Sequence, residues 1–224
     1  MPLTETSPSP RKPALRRSAG ETRDALMEAA FGLVRAQGLS ATSVDEICGA
    51  AGVSKGAFFH HFKSKEHLAA AAADHWSETT GAMFDAAPYH AAADPLDRVL
   101  GYIAFRAALI DGAPEAFTCF VGTMVQEAWA TSPPVQAACW DSISGHAGKL
   151  EDDIAAAMAA HDVSPGWTAR SLALHTQAVL QGAFILAKAS GDAEMAREAI
   201  RHLRRYVELL FARGGPVLSP DTNH

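Results

Sequence analysis

Apolar positions recur at helical spacing in one block after another along this chain, and strand-like alternation is nearly absent. Between Glu21 and Gln37, Leu26, Ala30, Leu33 and Val34 mark one face of a first helix, which Gly38 closes as a left-handed stop. Ser43 followed by Glu46 is a capping-box pattern set before Val44, Ile47 and Ala50, and it predicts a second, short helix broken at Gly52. Ser54, with Val53 outside it as an apolar anchor, caps a third helix. Ser64 caps a fourth that runs through an Ala-rich segment to about Phe84.

Beyond the break PYHAAADP, Asp94 and Pro95 start a helix with the stripe Leu96, Val99, Leu100, Ile103, Ala107 and Ile110. A helix near Pro114 to Ala130 places Phe117, Phe120, Val121, Met124 and Ala128 on one face, with Cys119, Gly122, Gln126 and Trp129 broadly opposite. The next follows Pro133-Pro134 and keeps Ile143, Ala147, Leu150, Ile154 and Met158 in register to roughly His161. Ser164-Pro165 opens another long helix, striped by Ala169, Leu172, Thr176, Val179, Ala183 and Ala187. After Gly191-Asp192 a final helix carries Ala196, Ile200, Leu203, Val207 and Leu210 and ends before Gly214-Gly215. The pattern predicts an all-α protein: a three-helix unit over residues 21–68, then a larger helical domain over 69–213.

Composition changes this picture at the ends and in the charge. Residues 1–20 are rich in Pro and Ser and carry Arg11, Lys12, Arg16 and Arg17 among few apolar groups, which predicts a disordered basic arm; 214–224 form a flexible tail. Such an arm either reaches into a DNA groove or is merely solvated. The 224-residue chain has a formal charge of −6, but residues 1–67 hold +2 and residues 68–224 hold −8. No apolar run approaches the ~18 to 20 residues of a membrane span, and no apolar leader stands at the N-terminus, so a cytoplasmic location is expected. Three cysteines at no metal-like spacing suit a reducing compartment. Gly-rich phosphate loops, G-x-S-x-G, H-E-x-x-H and histidine pairs at i and i+4 are all missing, so no catalytic residue, metal ligand or cofactor is expected.

Two short helices about a glycine-containing turn match a helix-turn-helix, whose second helix enters the major groove. Residues 43–62 supply these parts. Lys55, Gly56, Ala57, Phe59, His60 and His61 lie on the third helix, while Lys63 and Lys65 at the start of the fourth put positive charge where a phosphate would sit. Thr42, Ser43 and Ser54 complete the candidate DNA-contacting set. Phe58 and Phe62 read as core residues, and His60 and His61 as either groove contacts or solvated groups.

The stretch AGVSKGAFFHHFKSKEHL, Ala51 to Leu68, is similar to the DNA-binding signature of the TetR (tetracycline-repressor-like) family. The likeness covers roughly residues 21–68 and includes TSVDEI at Thr42 to Ile47, AGVSKG at Ala51 to Gly56 and HFKSKE at His61 to Glu66. Where that family commonly has threonine this chain has Ala57, and where it has two tyrosines this chain has Phe59 and His60, so the operator sequence is left open. The resemblance implies a homodimer on a double-stranded palindromic operator, paired through its last helices. It also implies a ligand-binding domain whose small-molecule effector respaces the two heads and releases a repressor.

Candidate pocket residues are Phe105, Cys119, Gln126, Trp129, Trp140, Gln177 and Phe184: aromatics for apolar walls, isolated polar groups for orientation. Candidate dimer residues are Leu172, Val179, Ala183, Ile200, Leu203, Val207 and Leu210, whose stripes equally suit an ordinary intrachain core. Gln177 and Gln181 also suit a dimer edge or solvent. Cys119 is either a pocket-lining electrophile sensor or a small buried hydrophobe. A helical enzyme and a protein-interaction module are the readings of a different class.

Overall fold

The computed structural model describes residues 17–164 and 166–212. Arg11, Lys12 and Arg16 of the arm, Pro165 and the tail 214–224 lie outside the described residues. Among the described residues ten α-helices follow one another: α1 (Ala19–Gln37), α2 (Val44–Ala51), α3 (Lys55–His61), α4 (Lys65–Asp85), α5 (Pro95–Ala108), α6 (Pro114–Phe117), α7 (Phe120–Ala128), α8 (Pro133–Ala160), α9 (Ala169–Ser190) and α10 (Ala193–Ala212). A single 3₁₀ turn, Pro88–Ala91, separates α4 from α5.

Local chemistry sets most of the boundaries. Ser43 and Glu46 close a reciprocal capping box on α2; Ser54 and Ser64 accept the N–H groups of Ala57 and His67 at the starts of α3 and α4. Each such cap stabilises its helix by about 1 kcal/mol. Gly52, at φ 68° and ψ 36°, is the left-handed stop between α2 and α3. Gly38 departs from the expected left-handed helical stop. Its φ of 89° is paired with a ψ of 163°, and a Cβ there would collide with the Glu127 carboxylate.

Three boundaries correct the sequence reading. α1 begins at Ala19, capped by a Ser18–Glu21 box, and Arg17 donates to the Ala51 carbonyl at 2.6 Å, so residues 17–20, expected in the arm, belong to the folded head. The helix expected across Pro114–Ala130 is two: Thr118 and Cys119 are extended, with ψ of 158° and 124°, and Cys119 becomes the N-cap of α7. Phe117 therefore leaves the face of Phe120, Val121 and Met124 and packs with Phe184 instead. α9 begins at Ala169, five residues after Ser164, because Thr168 and Ser171 form its capping box.

The buried apolar residues among those described form two clusters. One joins α1–α3 and the first half of α4 to Phe120, Val121, Met124 and Ala128 of α7 and to Val135 and Cys139 of α8. The other joins Phe84 at the far end of α4 to α5, α8, α9 and α10. α4 belongs to both clusters, and α7, which follows the second unit's first helices in sequence, is buried in the core of the head. An Arg98–Asp153 pair at 2.6 Å, with both side chains mostly buried, ties α5 to α8.

Candidate DNA-binding head and adjoining cavity

α2 and α3 meet across the Gly52 turn, with Ile47, Phe58 and Phe62 buried beneath them. Burial of Phe58 and Phe62 dictates the face that α3 leaves outward: Lys55, Gly56, Phe59 and His60 are exposed, with Ala57 and His61 half-buried. Phe59 is 53% exposed, an apolar ring offered to solvent beside the His60 imidazole. The His60 and His61 rings stand edge to face at 5.0 Å. Lys55 bonds Asp45 at 2.9 Å, but both side chains are well exposed. Such a pair is worth about 0–1 kcal/mol, so a phosphate can compete for the ammonium.

The remaining expected contacts divide. Lys63 is exposed. Lys65 is not free for phosphate: its ammonium donates to the carbonyls of Leu39 at 2.8 Å and Thr42 at 2.9 Å, clamping the α1–α2 turn. Thr42 is fully buried and its hydroxyl donates to the Gly38 carbonyl at 2.7 Å, so its side chain is engaged within the head. The Ser43 hydroxyl donates to Glu46 at 2.8 Å and accepts from its N–H. The Ser54 hydroxyl accepts the Ala57 N–H. These serines shape α2 and α3, while Lys55, Gly56, Phe59, His60 and Lys63 stand exposed.

Between α4, α5, the α6–α7 break, α8 and α9 lies a cavity of about 290 Å³. Trp76, Phe84, Phe117 and Phe184 supply apolar wall, and Arg106, His146, Lys149, Gln177, Gln181 and Cys119 supply polar atoms. A second cavity of about 430 Å³ lies beyond Cys119, Gln181 and Phe184, which line both, and includes Gln126, Glu127 and Lys188. Of the expected pocket residues, Cys119, Gln177 and Phe184 line the first cavity and Gln126 the second. Trp129 and Trp140 do not: they are 66% and 51% exposed on the outside of α7 and α8. Phe105 stands behind the wall, edge-on to Phe84 at 5.4 Å.

Gln177 is not at a dimer edge or in solvent. It is buried and donates to the Tyr102 hydroxyl at 3.0 Å, and that hydroxyl lies 2.9 Å from His146 Nε2. With Gln177 as donor, the Tyr102 proton goes to Nε2 and the imidazole carries its own proton on Nδ1. Burial first, and then the Arg106 and Lys149 cations, push the His146 pKa down to about 3, so the ring is neutral at pH 7. Periodicity could not reveal Tyr102, Arg106 or His146, because the groups they meet come from other helices, 44 and 75 positions away in the case of Tyr102.

The stripe expected to pair two chains faces inward instead. Leu172, Ala183, Ile200, Leu203 and Val207 are buried in this chain's own core, and Val179 and Leu210 pack half-buried against it. The opposite face of α10 exposes Met195, Tyr206 and Leu209, spaced with His202 at helical intervals. On α9, Ile185 is 49% exposed near the small residues Ala178 and Gly182, and the His175 ring lies 5.2 Å from that of Tyr206, tilted against it by 57°. Among the described residues no helix is long and apolar enough to cross a membrane, and no group of three or more His, Cys, Asp or Glu could hold a metal ion.

A two-helix reading head with an exposed cationic and aromatic face, set on a helical body that holds a cavity, defines a helix-turn-helix DNA-binding regulator. Residues 26–72 match the family of bacterial regulatory proteins of the tetR type, and residues 95–203 match the tetracyclin repressor-like C-terminal domain. The chain belongs to the TetR family of transcriptional regulators. It is 32% identical over 146 residues to the transcriptional regulator AcuR of Cereibacter sphaeroides, covering 62% of this chain and 66% of that protein. It is 45% identical over 53 residues to the HTH-type transcriptional regulator AcrR of Shigella flexneri, a match spanning 24% of this chain and a quarter of that protein. The fold is that of a TetR-family regulator from Agrobacterium tumefaciens, with a TM-score of 0.74 at 20% identity over 84% of this chain and 98% of the other.

Proposed function

We propose that this regulator is a homodimeric cytoplasmic repressor that holds a palindromic operator with α3 and releases it when a small molecule fills the cavity beside Trp76. One observation carries the coupling. Trp76 lines the cavity and packs its ring edge-on against Phe31 of α1 at 5.1 Å, with Phe120 of α7 closing the cluster at 4.9 Å from Phe31. A ligand that moves the Trp76 ring presses on the helix that carries the head, because close-packed interiors pass strain on rather than absorb it. The exposed α9–α10 face supports self-pairing, which a two-fold operator requires. The test is a ligand screen on the full chain. A molecule that raises the melting temperature should weaken duplex binding, and Trp76→Ala should break that link while still binding the duplex. Stabilising molecules that never shift duplex affinity would contradict the effector role.

A second reading, covalent sensing at Cys119, is favoured by its position. Its sulfur accepts the Gly122 N–H at 3.4 Å at the N-cap of α7, and it lines both cavities, the second together with Lys188. Cys139 provides the internal control, since burial pushes its thiol up to about 12. Treatment of the DNA-bound protein with N-ethylmaleimide should release wild type and Cys139→Ser but not Cys119→Ser. Release of all three would reject it.

A further inference from the structure

We propose that the cavity beside Trp76 takes a small monocarboxylate with an apolar or aromatic body, its carboxylate held by Arg106 and His146; the ligand class rests on the reading of this cavity as the effector site. Arg106 is half-buried on α5, and its guanidinium carbon lies 5.2 Å from the Phe84 ring centre and 5.7 Å from that of Phe184, both cavity walls. Among the described residues it has neither a carboxylate nor a carbonyl partner. Other arginines of the body differ: Arg98 reaches Asp153, Arg170 reaches Glu151, and Arg204 reaches Glu208 and the Leu100 carbonyl. A half-buried guanidinium set against two rings, with no anion beside it among the described residues, leaves its donors open to an incoming anion. Its planar fork suits the two oxygens of a carboxylate.

The other polar groups fix the charge of the ligand. Lys149 is tied to Asp85 at 2.6 Å, so it brings little net charge, and Asp141 is exposed on α8 at the cavity's edge. Among the described residues that line the cavity, Arg106 is the one unopposed cation, which calls for a single negative charge rather than a doubly charged phosphate. The relay from Gln177 through Tyr102 to His146 Nε2 leaves the Nδ1 proton of a neutral ring without a partner among the described residues, and His146 lines the cavity. That N–H is a second donor for the same carboxylate. A volume of about 290 Å³ with walls of Trp76, Phe84, Phe117 and Phe184 sits at the small end of the ~300–1,000 Å³ usual for ligand sites, which favours a compact body.

The experiment pairs benzoate, phenylacetate, butyrate and hexanoate with their primary amides, using calorimetry on the full-length protein. At least one acid should bind wild type about tenfold or more tighter than its amide, and Arg106→Gln should bring that ratio close to one, a loss of about 10- to 100-fold for the acid alone. Circular dichroism reports whether Arg106→Gln is folded. If it is not, Arg106→Lys, which keeps the charge but loses the fork, should cut the ratio at least threefold. No acid preferred over its amide in wild type, or a ratio unchanged in the folded variant, overturns the proposal. Duplex affinity measured alongside separates the two readings: amides that bind and release DNA sink the carboxylate class alone, whereas an acid that binds through Arg106 without releasing DNA sinks the effector role alone.

Discussion

The Glu127 carboxylate near the end of α7 accepts the backbone N–H of Ser40, in the turn between α1 and α2, at 2.7 Å. Its other side is occupied by Gly38, where any Cβ would collide with it. Arg35 of α1 makes a second tie by donating to the Ala116 carbonyl at 3.0 Å, next to the cavity-lining Phe117. The head is thus bonded at two points to the segment that forms one wall of the cavities.

Glu127→Ala should loosen this connection without disturbing the cavity beside Trp76. Ligand affinity is expected to stay within about twofold of wild type, while the factor by which ligand weakens DNA binding falls about fivefold, the lower end of ordinary coupling energies. Parallel titrations of ligand and duplex check this; a coupling factor unchanged by the substitution would remove Glu127 from the link.

Lys63 and Lys65 should behave differently despite their proximity in sequence. Lys63→Ala should weaken all duplexes alike and reduce the slope of log affinity against log salt by about 0.9, one phosphate's share. Lys65→Ala should instead lower stability by about 1–3 kcal/mol, because the carbonyls of Leu39 and Thr42 lose their donor. Urea melts together with salt titrations distinguish the two.

Charge reversal on α10 should separate pairing from folding. Tyr206→Glu with Leu209→Glu, both on the exposed face, should give a folded monomer in sedimentation. Leu203→Glu or Val207→Glu should unfold the chain, since each would bury a carboxylate in its own core at a cost of several kcal/mol. A Tyr206/Leu209 variant that remains a dimer would move the interface elsewhere.

His146 should make stability depend on pH. Its folded pKa of about 3 lies below the unfolded value of 6.5, so between these limits the unfolded chain binds a proton that the native chain refuses. Stability is therefore complete above about pH 6.5 and falls as pH drops toward 3, by about 1 kcal/mol at pH 5.5. Denaturant melts at pH 7.5 and 5.5 should show this loss in wild type and a smaller one in His146→Gln.

The head was legible because its signals are local. Ser43 with Glu46, Ser54, Ser64 and Gly52 each act within a few residues of themselves, and each sets a boundary where it stands. The body was less legible, for reasons that are long-range. Periodicity runs unbroken through Thr118 and Cys119, so nothing in it marks the point where the chain leaves one cluster for the other. α10 has an apolar stripe on each of two faces, and only packing shows that Leu203 looks inward while Tyr206 looks out. Lys65 reads as a free cation until the carbonyls of Leu39 and Thr42 are brought to it. Gln177 and Arg106 likewise take their meaning from Tyr102, Phe84 and Phe184, on other helices.

Selection of bound duplexes from a random-sequence pool tests the central claim most directly, with wild type and Phe59→Ala run side by side. Wild type should enrich a two-fold symmetric site bound by two chains, and Phe59→Ala, which removes the exposed ring of α3, should lose or change the preference at the half-site positions. Enrichment of no symmetric sequence by pure, folded wild-type protein, or the same site with the same preference from Phe59→Ala, would contradict a dimer that reads its operator with α3.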